Sequence, residues 1–145
     1  MPSEPYDLWP SDLGRVEQRT PAAILQEQGA VLGRRTGNLV IGRVVPESGL
    51  SYVLPPDAPP IDEEQRFSYS FDLVAPALDR YHFKLFSFTH GIINFYPVHF
   101  ILGRPEMTRW ANSEAEFITV VREILNLDHT KRVIDSLIAQ SQVPV

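Results

Sequence analysis

The strictest constraint on the fold is a seven-residue stretch, 67–73, in which apolar and polar side chains alternate without exception. Its sequence is Phe-Ser-Tyr-Ser-Phe-Asp-Leu. Because successive side chains of a β-strand point to opposite faces, this alternation predicts a strand with one apolar and one polar face. Antiparallel sheets commonly pack one such face on a core and leave the other in water. We therefore expect an antiparallel sheet with at least one covered face.

The flanking segments predict the rest of the fold. Segments rich in β-branched and aromatic residues predict further strands over 38–45, 81–89 and 92–102, and residues 103–112 are expected to form a loop. Segments with helical periodicity cover 21–33, 114–126 and 129–141. Thr20 before Pro21, and Ser113 three residues before Glu116, are typical of helix N-termini. The fold class is therefore predicted as α+β, with an N-terminal helix, a four-stranded antiparallel meander and two C-terminal helices.

The length predicts one domain with an irregular arm and one long loop. At 145 residues the chain has the usual size of a single domain. Residues 1–20 contain prolines and acidic residues around Trp9, and we expect an irregular N-terminal arm with Trp9 lying against the domain. Residues 21–145 form the predicted domain, in which 46–65 is a proline-rich acidic loop.

Charge and composition exclude several function classes. Thirteen basic against eighteen acidic residues give a net charge of −5, which argues against nucleic acid and against an anionic membrane surface as partners. Arg34 and Arg35 are interpreted as complements to a helix C-terminus. The chain has no cysteine, so disulfides and thiolate chemistry are excluded. The first residues do not resemble a signal peptide, no apolar run is long enough to span a membrane, and we expect a cytoplasmic protein.

No sequence motif with a known catalytic mechanism is present, but one constellation can be inferred from strand register. A tight turn at 90–91 places His82 opposite His99, and matching the apolar faces of the preceding hairpin places Asp72 opposite His82. Two imidazoles and a carboxylate in one row can act as an acid–base pair or ligate a metal. Histidines on a half-exposed sheet face are more often structural, so neither a metal nor a cofactor is expected.

Aromatic residues suggest two further surfaces. One face of the predicted sheet supplies candidates for the lining of a ligand pocket: Tyr69, Phe71, Tyr81, Phe83 and Tyr96. By simple alternation, the face that carries the histidines also carries a second apolar set: Phe86, Phe88, Phe95 and Ile101. Leaving such a set exposed would be costly, so we expect it to form an interface, with a homodimer as the predicted form.

Three functions follow as hypotheses. The first is a non-catalytic binding or protein-interaction module, of the accessory or immunity type by analogy of architecture alone, with a protein partner that is either another protein or a second copy. The alternative is a binder of small apolar ligands with an aromatic pocket. The third is an enzyme or metal site built on Asp72, His82 and His99. Catalysis is the less expected outcome because no catalytic motif is present.

Overall fold

The computed structural model describes residues 6–14, 18–47, 66–103 and 106–143, and within them it confirms an α+β fold with an antiparallel sheet. The described elements are three α-helices, five strands and one short 3₁₀ turn at Pro76–Leu78. In chain order they are α1 (Pro21–Arg35), β1 (Ile41–Glu47), β2 (Arg66–Ala75), β3 (Tyr81–Gly91), β4 (Val98–Gly103), β5 (Glu106–Ala111), α2 (Glu114–Leu125) and α3 (Asp128–Ser141). Most of the predicted loop at 46–65 lies outside the described residues.

The sheet has five strands in the described part of the chain, not four. Neighbours in sequence are neighbours in space, in the order β1-β2-β3-β4-β5, and every pair is antiparallel. The predicted loop at 103–112 is wrong because β5 pairs with β4 from Gly103↔Glu106 to Val98↔Ala111. The strand is short and lies at the edge, and its sequence, Glu-Met-Thr-Arg-Trp-Ala, alternates too weakly to predict it.

The predicted register between β3 and β4 is also wrong. His99 lies opposite Thr89, not opposite His82. The tight turn does not form, because residues 92–97 connect the two strands and β4 begins only at Val98. Pro97 has no N–H to donate to a ladder, so the strand starts after it. The shift changes the register by an odd number of residues, which moves every β4 side chain to the other face.

A β-bulge reverses the faces of β3 at its middle. Phe71 lies opposite Phe86, but the next residue, Asp72, lies opposite Lys84, which leaves Leu85 as the extra residue on β3. An extra residue in one strand interrupts the alternation. Side chains that simple counting assigns to one face of β3 therefore lie on two different faces.

One face of the sheet, which we call the helix face, is built around phenylalanines. The ring centroids of Phe71 and Phe86 are 5.6 Å apart, those of Phe86 and Phe100 are 5.7 Å apart, and Phe117 of α2 lies 5.3 Å from Phe100. Phe88 lies two residues after Phe86, on the same face of β3, and is completely buried. The helix face therefore supplies most of the hydrophobic core.

α1 packs on the helix face through two glycines. A Cβ on Gly42 of β1 would come within 2.6 Å of the Cα of Gly29 in α1 and of the ring of Phe71. A side chain at this position would force the helix away from the strand. Because glycine has no side chain, Gly29 and Gly42 allow α1 to approach the sheet this closely.

Both predicted helix caps are confirmed. The Thr20 hydroxyl accepts from the backbone N–H of Ala23 at 3.0 Å, and the Ser113 hydroxyl accepts from that of Glu116 at 3.2 Å. The Glu116 carboxylate accepts in return from the N–H of Asn112 at 2.7 Å. These bonds satisfy donors that a helix leaves free at its first turn, so the starts of α1 and α2 are encoded locally.

Candidate functional site

A groove of about 430 Å³ lies between α1 and α2, above strand β2 on the helix face. Its floor is apolar and includes Phe71 and Leu73 from the strand. Its walls contain Ile24 and Val31 from α1 and Val121 from α2. Clefts of about 300–1,000 Å³ with mostly apolar linings are typical of binding sites.

The walls of this groove follow from helical spacing in both helices. Residues 24, 28, 31 and 35 of α1 follow one another at intervals of three or four. In α2, residues 118, 121, 122 and 125 each lie three or four positions from two of the others. Such positions share one face of a helix. Each helix packs part of this apolar stripe onto the sheet and leaves its edge, including the half-buried Val31 and Ile118, along the groove.

The rim of the groove is basic, although the chain as a whole is acidic. Arg19, Arg35, Arg122 and Glu27 are the charged residues of its lining, which gives a local charge of 3 − 1 = +2. Arg19 is paired with Glu27 at 3.2 Å and with Glu114 at 3.7 Å. Within the described residues, Arg35 and Arg122 have no acidic partner. Two guanidinium groups are therefore available to an anionic ligand.

Of the two arginines, the sequence singles out only Arg35, as a complement to a helix C-terminus, and Arg122 was not predicted. Each lies in the last turn of its helix, where a positive charge is favoured by the helix dipole. That role explains why an arginine stands at each position, but it does not require the two arginines to face one groove. The missing information is how α1 and α2 lie relative to each other, which local patterns do not encode.

The predicted row of Asp72, His82 and His99 is brought together only in part. All three lie on the other face of the sheet, which we call the polar face. His82 Nδ1 lies 3.6 Å from Asp72 Oδ2, and the Ser70 hydroxyl donates to Asp72 Oδ1 at 2.8 Å. His99 is paired through β4 with Thr89 and stacks on Trp110 at 4.2 Å, so it is not part of this cluster.

The Ser70–Asp72–His82 cluster has the wrong order for nucleophilic catalysis. In a catalytic triad the histidine lies between the hydroxyl and the carboxylate, so that it can take the hydroxyl proton. Here the carboxylate lies between the other two, and the Ser70 proton points to Asp72. Across the described ranges, no group of three or more histidine or acidic side chains is placed to hold a metal ion.

A second cluster on the polar face holds a nearly buried carboxylate. Glu47 is only 10% exposed, and its Oε1 accepts from Ser87 at 2.8 Å and from Lys84 at 3.0 Å. Lys84 is half exposed, so the pair connects the buried carboxylate to the surface. The contacts from Ser87 and Lys84 stabilise the buried charge of Glu47, and this structural role accounts for both of them.

The five aromatic residues predicted to line one pocket do not converge. Phe71 lies in the groove, whereas Tyr81 and Phe83 line a second cavity of about 570 Å³ against α3. Tyr69 and Tyr96 line neither of these two cavities. The predicted pocket is therefore divided between two places on the helix face.

The predicted interface is not one exposed patch. Phe86 and Phe88 lie on the helix face and are 1% and 0% exposed, because the β-bulge moves them away from the histidines. Ile101 lies on the polar face and is 38% exposed. Phe95 is half-buried in the connection before β4. These four residues therefore do not form one surface for a dimer, because two of them are buried in the core.

His90 occupies an aromatic environment at the end of β3. Its ring lies 5.8 Å from those of Tyr69 and Phe95, and its Nδ1 donates to the carbonyl oxygen of Gly91 at 2.8 Å. Desolvation by burial lowers the pKa of His90. The imidazole is thus held neutral as part of the packing.

In the described part of the N-terminal arm, residues 6–14, Trp9 does not lie against the domain as predicted. This part of the arm forms a turn in which the N–H of Leu13 donates to the carbonyl of Pro10 at 3.4 Å, and the Asp7 carboxylate accepts from the N–H of Trp9 at 3.0 Å. Trp9 is 75% exposed. The other large apolar side chains within residues 6–14 are also exposed: Tyr6, Leu8 and Leu13. Exposed apolar sets of this kind are typical of interaction sites.

Comparison with known proteins gives no relative for this fold or groove. No family model, curated protein or solved structure matches the chain. Among the helices that the structure describes, none is long and apolar enough to cross a bilayer. The geometry of the groove and of the arm is therefore the basis on which a function is assigned.

Proposed function

We propose that this chain is a non-catalytic interaction module whose groove between α1 and α2 binds an apolar protein segment that carries negative charge. The observation that carries this proposal is the pairing of half-buried apolar side chains along the groove, those of Val31, Ile118 and Leu125, with Arg35 and Arg122 at the rim. Their place at the helix C-termini accounts for the two arginines but leaves both guanidinium groups exposed, and neither has an acidic partner among the described residues.

The two parts of the groove have different roles in binding. The half-buried apolar side chains along the groove supply affinity, because aromatic and aliphatic anchors that become buried on binding contribute most of the binding energy at interfaces. The arginines supply orientation and selectivity, because a guanidinium recognises a carboxylate through two parallel hydrogen bonds. A segment with Leu or Trp beside Asp or Glu fits both requirements.

The direct test is fluorescence anisotropy with the full chain and a labelled synthetic peptide, Glu-Leu-Trp-Glu-Leu. We expect binding that weakens at least about tenfold in the double variant R35E/R122E, because attraction at the rim becomes repulsion. A peptide with lysine in place of both glutamates is expected not to bind.

A matched control separates this site from general electrostatics. R43E/R132E changes the net charge by the same amount, but Arg43 lies on the polar face and Arg132 lines the second cavity. The control variant is expected to bind like the parent. Equal losses in the two double variants, or none in R35E/R122E, would refute the groove as the binding site.

A small amphipathic anion is the second candidate ligand. The groove volume of about 430 Å³ lies within the range of small-molecule sites, and the same arginines would receive its head group. Dodecanoate, added as a competitor, distinguishes the two candidates. Displacement of the peptide far below the concentration at which dodecanoate forms micelles favours the small ligand, and failure to displace it favours the protein segment.

A further inference from the structure

We propose that the N-terminal arm of a second copy of this chain is the segment that the groove binds. This inference rests on the proposed function and names its partner. The arm, defined as residues 6–14, carries four exposed apolar side chains and two carboxylates, those of Asp7 and Asp12. It therefore has the composition that the groove selects.

The charges of arm and groove are complementary. The described arm has a charge of −2 from its two aspartates, and the groove lining has a charge of +2. Trp9 is the largest apolar side chain of the arm, and the groove offers the half-buried side chains of Val31 and Ile118 along its walls. Charge and apolar character match on both sides, which is the condition for a specific contact.

The position of the arm favours a reciprocal exchange between two copies. Arg19, which follows the arm by a few residues, is itself part of the groove lining. The arm thus joins the domain at the mouth of its own groove. A second copy seated at this mouth brings each arm to the other copy's groove, which gives a closed twofold dimer. Both apolar surfaces are covered in this arrangement.

Light scattering with two charge-reversed full-length variants tests the inference. D7K/D12K reverses the arm, and R35E/R122E reverses the groove. We expect the parent to be dimeric at micromolar concentration, with each variant alone shifted toward monomer by at least about tenfold in dissociation constant. A mixture of the two is expected to restore the dimer, because each arm then meets a groove of opposite charge.

Cysteine pairs determine whether the contact is between chains or within one. The chain has no native cysteine, so L13C and V31C can be introduced without interference. We expect a disulfide-linked dimer when the two single variants, carrying tags of different size, are mixed under mild oxidation. L13C mixed with T108C, placed on the polar face, is the control and is expected to form little.

The outcomes are distinguishable from failure of the proposed function. A monomeric parent, a dimer insensitive to both charge reversals, or a disulfide formed only within the double variant L13C/V31C would overturn the inference. If the Glu-Leu-Trp-Glu-Leu peptide still binds in a manner that depends on Arg35 and Arg122, the groove remains a binding site for another protein. If neither the peptide nor the arm binds, both proposals are refuted.

Discussion

The two faces of the sheet differ in the side chains they bury and in the contacts that stabilise them. The helix face is filled by phenylalanines that contact one another and the helices. The polar face contains buried polar residues whose side chains are hydrogen-bonded: Thr89 to Ser68 on the neighbouring strand, and Asp72 to Ser70 on its own strand. Stability on the helix face therefore depends on how closely apolar side chains pack. On the polar face it depends on hydrogen bonds between buried polar side chains. The groove lies on the face where a gap between helices leaves apolar surface open.

The largest expected effect comes from neighbouring residues of β4 that lie on opposite faces. F100A removes a completely buried ring from the phenylalanine cluster and is expected to cost about 3–5 kcal/mol in the free energy of unfolding. I101A, on the polar face and 38% exposed, is expected to cost less than about 1 kcal/mol. Urea denaturation of both variants measures the difference. Equal losses would contradict the assignment of β4 to these faces.

The second effect concerns pH and the polar face. Desolvation lowers the pKa of His99 to about 4 from its usual 6.5. Between these values the unfolded chain takes up a proton that the folded chain does not. The free energy of unfolding is therefore highest above pH 6.5, where His99 is neutral in both states. It falls by as much as about 3 kcal/mol as the pH drops toward 4.

Denaturation of the parent and of H99Q between pH 4 and pH 7 tests this prediction. The variant is expected to lose less stability on acidification than the parent, whatever its stability at pH 7. Parallel profiles in the two proteins would show that His99 does not carry the dependence.

The smallest expected effect concerns the pairing of Glu47. K84M removes one of two donors from a carboxylate that is 10% exposed, and we expect a loss of about 1 kcal/mol. The double variant K84M/E47Q, in which the charge is also removed, is expected to recover most of this loss. Thermal unfolding compares the three proteins, and a double variant no more stable than K84M would argue against a buried charge as the cause.

Local sequence patterns predict most of the elements of the fold. The alternation at 67–73 and the caps at Thr20 and Ser113 each depend on neighbouring residues, and the structure agrees with all three. β5 was not predicted because a short edge strand paired along one side carries little alternation. Pairing with a neighbouring strand can stabilise a segment whose own apolar–polar alternation does not indicate a strand.

The candidate sites could not be predicted correctly because the faces of the sheet and the packing of the helices depend on long-range features. The bulge at Leu85 and the late start of β4 at Val98 each change which face a residue occupies. Without these two features, the predicted register placed His99 opposite His82 and assigned Phe86 and Phe88 to an exposed patch. The groove, in turn, depends on how two helices lie on the sheet, for which the sequence contains no local signal.

The central claim is that binding occurs on the helix face, in the groove between α1 and α2. Two-dimensional ¹H–¹⁵N NMR of the full chain during titration with the Glu-Leu-Trp-Glu-Leu peptide tests it most directly. We predict that the largest shifts fall on the groove-lining residues of both helices, including Val31 and Val121, and that Asp72 and His82 on the polar face are unaffected. Shifts concentrated on the polar face, or in the second cavity near Phe83, would contradict the claim.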